Sequence, residues 1–366
     1  MCCSLGFRPR PNVRIAIVSP YALDVHGGVQ EQAVAMSREL ARRGHDVALY
    51  APGGDPVNVE GVAVRQIGRR LSLPANGSRA PITLSPRAAQ RVRRDLDSAG
   101  TELVHFHEPF APLLGYAELL RGRRPHVGTF HRSGGGPAYS LTTPILRALL
   151  ARIDSCVAVS DAAAATLQRA TGASCTVLFN GFAVERFAPG VRPVRPTVLF
   201  IGRDEERKGL KVLLHAHNLA PDAYDVIAVG RGTIEAVARA GSPGGVRALG
   251  PVDDATKREL LGSVSALVAP SLHGESFGLI LIEAMASGTP VVASDIEGYR
   301  LAAADHAHFF SPGDCDDLNR ALTRALVSSD EQRASLRRYA ETLSMKSLVD
   351  RYEAIYAESK ARFARR

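Results

Sequence analysis

The stretch His273-Gly274-Glu275-Ser276-Phe277-Gly278-Leu279-Ile280-Leu281-Ile282-Glu283-Ala284-Met285-Ala286-Ser287-Gly288-Thr289-Pro290-Val291-Val292-Ala293-Ser294-Asp295 holds two glutamates, Glu275 and Glu283, with seven residues between them. Glu275 lies in a glycine-flanked loop. Glu283 lies inside an apolar run, Leu279 to Met285, that reads as a buried helix. A carboxylate in such a run is costly unless a partner pairs with it or hydrogen-bonds to it. Ser287-Gly288 with Pro290 beyond is a helix stop, and Val291 to Ser294 follows as a strand. Loop, helix and strand in that order hold both carboxylates at one edge of a sheet, where α/β proteins bind ligands. Singly, Glu283 reads as a core-edge ion pair and Glu275 as a solvated loop charge. Within the Gly-Glu-Ser-Phe-Gly loop and the Gly-Thr-Pro stop, the two together read as a ligand site.

The same alternation of strand and helix runs through the chain. Residues 13–19 predict a first buried strand, Val29, Ala33, Met36 and Leu40 recur at helical spacing, and 46–50 predicts the next strand. That is a β-loop-α-β unit, so the sheet is expected to be parallel. Its loop carries Gly27-Gly28 and not G-x-G-x-x-G, which argues against a nicotinamide oxidoreductase. Glycines at a helix start still let a phosphate or sugar meet backbone N–H groups. Further strands are expected at 103–107, 126–130, 155–159 and 176–178. After a Pro-rich stretch the pattern restarts at 197–202, 225–229, 247–250 and 266–270. The expected organisation is an atypical N-terminus over 1–12, a Rossmann-like domain over 13–188 and a linker over 189–196. A second Rossmann-like domain over 197–345 and a C-terminal helix over 346–366 complete it. The two parallel sheets are expected to face each other across a cleft. Leu348, Tyr352 and Ile355 should line one face of the last helix.

The bulk numbers fit a globular chain of two domains: 366 residues, 45% hydrophobic. No apolar run nears the roughly 20 residues that cross a bilayer, and no signal peptide is visible. Five cysteines without metal-ligand spacing suit a reducing cytoplasm. Residues 1–185 carry 21 basic residues, all arginine, against 14 acidic ones; the remainder carries 24 against 23. The first half therefore expects an anionic partner. Ser85 reads as an N-cap with Pro86 in the first turn. Arg87, Arg91 and Arg94 then share a helix face, with Arg93 beside them. That face is either solvated or set against an anionic bilayer, where each charge contributes about 1 kcal/mol. Aromatics are not interleaved with the arginines, which disfavours nucleic acid.

Gly202-Arg203-Asp204-Glu205-Glu206-Arg207-Lys208-Gly209 closes the first strand of the second half and opens a helix. Cations beside helix N-terminal N–H groups suit an anionic ligand. Arg203 offers a fork and Lys208 a point charge, while Arg207 reads equally well as a solvated helix start.

These segments resemble the retaining glycosyltransferases of family four, which have the GT-B fold. The resemblance implies that Arg203 and Lys208 hold the donor diphosphate. It further implies that Val252 and Asp254 face the base, Glu283 takes the ribose hydroxyls, and Glu275 takes the donor sugar with backbone N–H groups of Ser276, Phe277 and Gly278. His131, ending Gly128-Thr129-Phe130-His131, is placed at the active site. Ser19-Pro20-Tyr21 through Gln30, His105-Phe106-His107-Glu108-Pro109, Asn76-Gly77-Ser78 and Val252 to Lys257 go further and are similar to phosphatidyl-myo-inositol mannosyltransferases. By that resemblance Tyr21, Gln30 and Asn76 line the acceptor pocket, with Arg79 standing in for a displaced arginine, and Gly28 leaves room for phosphates. The basic helix becomes a membrane attachment. The sequence departs from the pattern over Arg132 to Pro137, where a lysine is expected near Gly136. The implied donor is a nucleotide sugar, GDP-mannose in preference to a UDP-sugar, and the implied acceptor is phosphatidyl-myo-inositol in preference to a soluble molecule. A non-catalytic membrane-surface protein is the rival of another class. No tightly bound cofactor or metal is expected, and Mg2+ can accompany the diphosphate without being required. The implied protein is a monomer, cytoplasmic or peripheral on the inner face of the cell membrane.

Overall fold

The computed structural model describes residues 12–25, 27–75, 78–111, 113–132, 143–275 and 277–366. Residues 1–11, Asn76, Ser276 and the departure after Arg132 lie outside the described residues, as does the side chain of Arg79. Two units are present: residues 1–181 with 345–366, and residues 182–344.

In the first unit, β1 (Arg14–Val18), β2 (Asp46–Pro52) and β3 (Ala63–Ile67) precede a separate antiparallel hairpin, β4 (Leu71–Ala75) and β5 (Ser78–Ile82). Then come β6 (Leu103–His107), β7 (His126–Phe130), β8 (Ser155–Ala158) and β9 (Thr176–Val177). The parallel sheet has the order β3-β2-β1-β6-β7-β8-β9. Alternation along β1 sends Ile15 and Ile17 to one face and Ala16 and Val18 to the other. The first face is covered by the helix Gly28–Arg42 through Ala33, Met36 and Leu40, and by the C-terminal helix Met345–Ala364. The second is covered by the helix Pro86–Ser98 through Ala88, Val92 and Leu96. Both faces are thus apolar, as a parallel sheet requires.

The second unit repeats the plan with β10 (Thr197–Ile201), β11 (Asp225–Val229), β12 (Val246–Gly250), β13 (Ala266–Ala269), β14 (Val291–Ser294) and β15 (His308–Phe310). Its order, β12-β11-β10-β13-β14-β15, reverses direction between β10 and β13. The first sheet reverses between β1 and β6. Those switch points are where ligands enter such sheets.

One expectation is corrected. The stretch 189–196 does not join the units: the division falls after Gly181 and again after Ser344. Phe187 already packs in the second unit's core, and Gly190 N–H donates to the Gly262 carbonyl at 2.9 Å. On the last helix, Leu348 and Tyr352 lie in the first unit's core with Ile355 packed against it, as expected, and Val349 and Tyr356 join them. The short edge strands β3 and β15 and the hairpin were not expected, because three to five mixed residues carry little periodicity.

Candidate active site

In the second unit the loops after β10 and β13 meet. Gly209 takes φ +71°, and a side chain there would collide with the carbonyl oxygen of Pro270. This close approach lets Leu272 N–H donate to the Arg207 carbonyl at 2.7 Å. Glu275 is thereby brought against two cations, Lys208 Nζ at 2.6 Å and Arg207 Nη1 at 3.0 Å, both on Oε1. Ser271 Oγ reaches the same oxygen at 3.4 Å and bonds Tyr299 at 2.8 Å. Gly278, at φ +78°, leaves room for that tyrosine: a side-chain carbon there would lie 2.6 Å from its ring. Arg203 stands at the rim, 61% exposed, paired with Glu205 at 2.9 Å, and Glu205 also accepts from Arg207 at 2.9 Å.

The helix Leu279–Ala286 begins at Gly278 and carries Glu283. The partner its burial demands is Lys257, whose Nζ lies 2.9 Å from both oxygens. Burial pushes the Glu283 carboxyl above its ordinary range, and Lys257 opposes the shift. Lys257 sits in the helix Asp254–Ser263, capped by Asp253, whose carboxylate accepts from Thr256 N–H at 2.7 Å. Asp254 heads that helix, pairs with Arg186 and lies 3.4 Å from Lys257. Val252 packs against the unit's core, and so does Phe277. This unit therefore gathers Arg203, Lys208, Glu275, Phe277 and Gly278 around the β10 and β13 ends, with Glu283, Val252 and Asp254 beside Lys257.

The first unit gathers a different set. At the end of β6, Glu108 is buried, in the left-handed region at φ 48°. Its Oε2 accepts the backbone N–H of His131 at 2.9 Å and of Arg132 at 3.1 Å. His131 Nε2 lies 3.0 Å from His107 Nδ1, and the two rings stack at 5.2 Å. Behind them His105 contacts Tyr356 Oη and Thr129 Oγ1, each at 2.7 Å, and Thr129 contacts Tyr352 at 2.7 Å. Burial holds His105 down to about 3 and His131 to about 4. Tyr21, just past β1, has its hydroxyl raised by burial and then by the charge of Glu108. Gln30 is buried and donates to the Val25 carbonyl at 3.1 Å. The helix at Gly28 starts without a side-chain cap, and a side chain at Gly28 would meet nothing within 4 Å. That leaves an open helix start of the kind phosphates use.

On the helix Pro86–Ser98, Arg87, Arg91 and Arg94 are exposed, and Ser85 caps it by accepting from Ala88 N–H at 3.2 Å. Arg93 departs from the expected basic face. It is half-buried with its Nε enclosed, because it lies about a third of a turn from the other three.

A model of Glycosyltransferase Family 4 matches residues 26–186, and one of glycosyl transferases group 1 matches residues 195–328. The chain is 36% identical over 370 residues to the phosphatidyl-myo-inositol mannosyltransferase of Mycobacterium leprae, covering 94% of this chain and 97% of that one. The chain belongs to the phosphatidyl-myo-inositol mannosyltransferase family of glycosyltransferases. A glycosyltransferase from Rickettsia africae superposes with a TM-score of 0.74 at 18% identity, covering 96% of this chain and 99% of that one. HepE from Anabaena, solved with UDP-glucose, superposes at 0.62 and 18%, covering 94% and 99%. The fold is GT-B, with the C-terminal helix returned to the first unit.

Within this phosphatidyl-myo-inositol mannosyltransferase family member, sequence reasoning missed several partners. Arg207 was read as equally a solvated charge, and Lys257 was only a letter in a motif. Glu108, His107 and the Tyr352–Tyr356 pair carried no role. The signal for Lys257 was present: a carboxylate in an apolar helix demands a cation.

Proposed function

We propose that this chain is a retaining mannosyltransferase that moves mannose from GDP-mannose to a hydroxyl of phosphatidyl-myo-inositol at the inner membrane face. Lys208 and Arg203 stabilise the departing diphosphate. Glu283 binds the ribose hydroxyls, and Glu275 binds the mannose hydroxyls with the backbone of Ser276, Phe277 and Gly278. Val252 and Asp254 meet the base by their backbone groups. His131 contacts the reacting sugar, and Tyr21, Gln30, Asn76 and Arg79 serve the acceptor beside Gly28. The acceptor oxygen forms its bond to the sugar carbon on the face the diphosphate leaves. The departing phosphate oxygen takes the acceptor proton. The observation that carries this reading is the convergence of Lys208 and Arg207 on Glu275 in a chain 36% identical to such a mannosyltransferase.

Among the described residues no helix is long and apolar enough to cross a membrane, so attachment falls to Arg87, Arg91 and Arg94. Changing all three to serine is expected to weaken binding to phosphatidylinositol vesicles about a hundredfold, at roughly 1 kcal/mol per charge. Arg93→Ser should change it little, and equal losses would undo the assignment of the face. The reaction itself is tested by thermal shift with GDP, UDP and ADP, followed by transfer from GDP-mannose onto those vesicles. A selective GDP shift with lipid mannosylation is expected, and equal shifts with all three nucleotides would contradict the donor site. A UDP-sugar donor is the second reading, favoured by the likeness to HepE bound to UDP-glucose.

A further inference from the structure

His107 is 2% exposed at the end of β6, its ring between His105 at 4.7 Å and His131 at 5.2 Å. Its Nδ1 lies 3.0 Å from Nε2 of His131, and its own Nε2 is enclosed with no hydrogen-bond partner. Burial holds His105, His107 and His131 below the ordinary histidine range, so all three rings are neutral near pH 7. Two neutral imidazoles facing each other through one nitrogen apiece share one proton along that line. Were it on His131 Nε2, His107 would accept at Nδ1 and carry its own proton on Nε2. That N–H would be sealed away from water and from any acceptor, at about 1–3 kcal/mol. Orphaned buried N–H groups are rarer than under-used acceptors. With the proton on His107 Nδ1, the enclosed Nε2 is a bare lone pair and His131 Nε2 accepts. The proton of His131 then sits on Nδ1, the ring nitrogen left for a ligand.

We infer that His107 is a positioning residue that locks His131 in its Nδ1–H tautomer, so that His131 offers a substrate oxygen an N–H donor and not a base. The inference rests on the proposed function only in taking His131 to face substrate. It deepens that reading, because a donor at His131 suits a sugar hydroxyl, while the acceptor proton leaves with the phosphate. His105 supports the stack from behind. Held by Tyr356 and Thr129, its ring is only 20° from parallel with that of His107.

The tautomer is read without substrate, by long-range 15N–1H correlation on histidine-labelled full-length protein at pH 7. The expected spectrum has His131 protonated at Nδ1 and His107 likewise; an Nε2-protonated His131 overturns the inference. His107→Phe, which keeps the stack but removes the donor, should return His131 to a tautomer mixture. It should also lower kcat for mannose transfer roughly tenfold, the worth of one hydrogen bond, with KM for GDP-mannose unchanged. His107→Asn, which places an amide N–H where Nδ1 stood, should restore both. A spectrum unchanged in His107→Phe, or a changed spectrum with unchanged kcat, contradicts the positioning role. Absence of any transfer by the wild type would sink the proposed reaction and leave the spectrum to decide the tautomer.

Discussion

The two sheet edges that carry the candidate site solve the same problem in opposite ways. At the β10–β13 edge, Glu275 and Glu283 are met by cations: Arg207 and Lys208 on one, Lys257 on the other. At the β6–β7 edge, polar groups are sealed in the fold, and burial keeps His105, His107 and His131 neutral. In the proposed reaction the first edge takes the charged diphosphate of the donor. The second takes neutral hydroxyls, where an unpaired charge would cost far more than it returned. The difference teaches that pairing with cations and sealing by burial are separable ways of holding polar groups, and that each suits one half of the proposed transfer.

The largest effect should come from breaking the charged edge. Lys208→Ala removes a cation that in the proposed reaction stabilises the departing diphosphate, and transfer should fall about 10²–10³-fold in a steady-state assay. A loss below tenfold would show that Arg203 and Arg207 suffice. Next comes the anchor of the neutral edge. Glu108→Ala strands the backbone N–H groups of His131 and Arg132, and should cost roughly 2–3 kcal/mol in a urea titration. A cost under about 0.5 kcal/mol would mean water replaces the carboxylate.

The smallest effect is a pH dependence, in which the buried histidines and the buried glutamates act with opposite sign. His131 and His105 have folded-state values held to about 4 and about 3, below the unfolded 6.5. Their neutral forms stabilise the fold fully above pH 6.5, and that contribution is lost as pH falls toward 4 and then 3. Glu108 and Glu283, raised by burial, act in the opposite sense, their contribution being lost as pH rises through the raised value. Wild-type stability should therefore fall between pH 6.5 and 4, and fall less in His105→Gln. Parallel curves for the two proteins would remove His105 from the account.

How much was legible follows the same division. Glu275 and Glu283 announced themselves because charges in an apolar, glycine-punctuated stretch need a reason, and the helix from Leu279 followed from its unbroken apolar run. The core strands were equally plain, since β1 and β10 are continuous runs of buried apolar residues. The histidine stack was not. His105, Thr129, Tyr352 and Tyr356 are separated by up to 251 positions and meet only when the last helix packs on the first unit. No local pattern encodes such a contact. The division at Gly181 escaped for a related reason: Pro193 and Pro196 mark a change of direction, whereas the boundary of a unit is set by what Phe187 packs against.

Calorimetric titration of GDP into the wild type, Lys208→Ala and His131→Gln tests the central contrast most directly. The account predicts that GDP affinity falls at least about tenfold in Lys208→Ala, the loss of one charge-assisted contact, and is unchanged in His131→Gln. Equal affinities for the wild type and Lys208→Ala, or an equal loss in both variants, would contradict it.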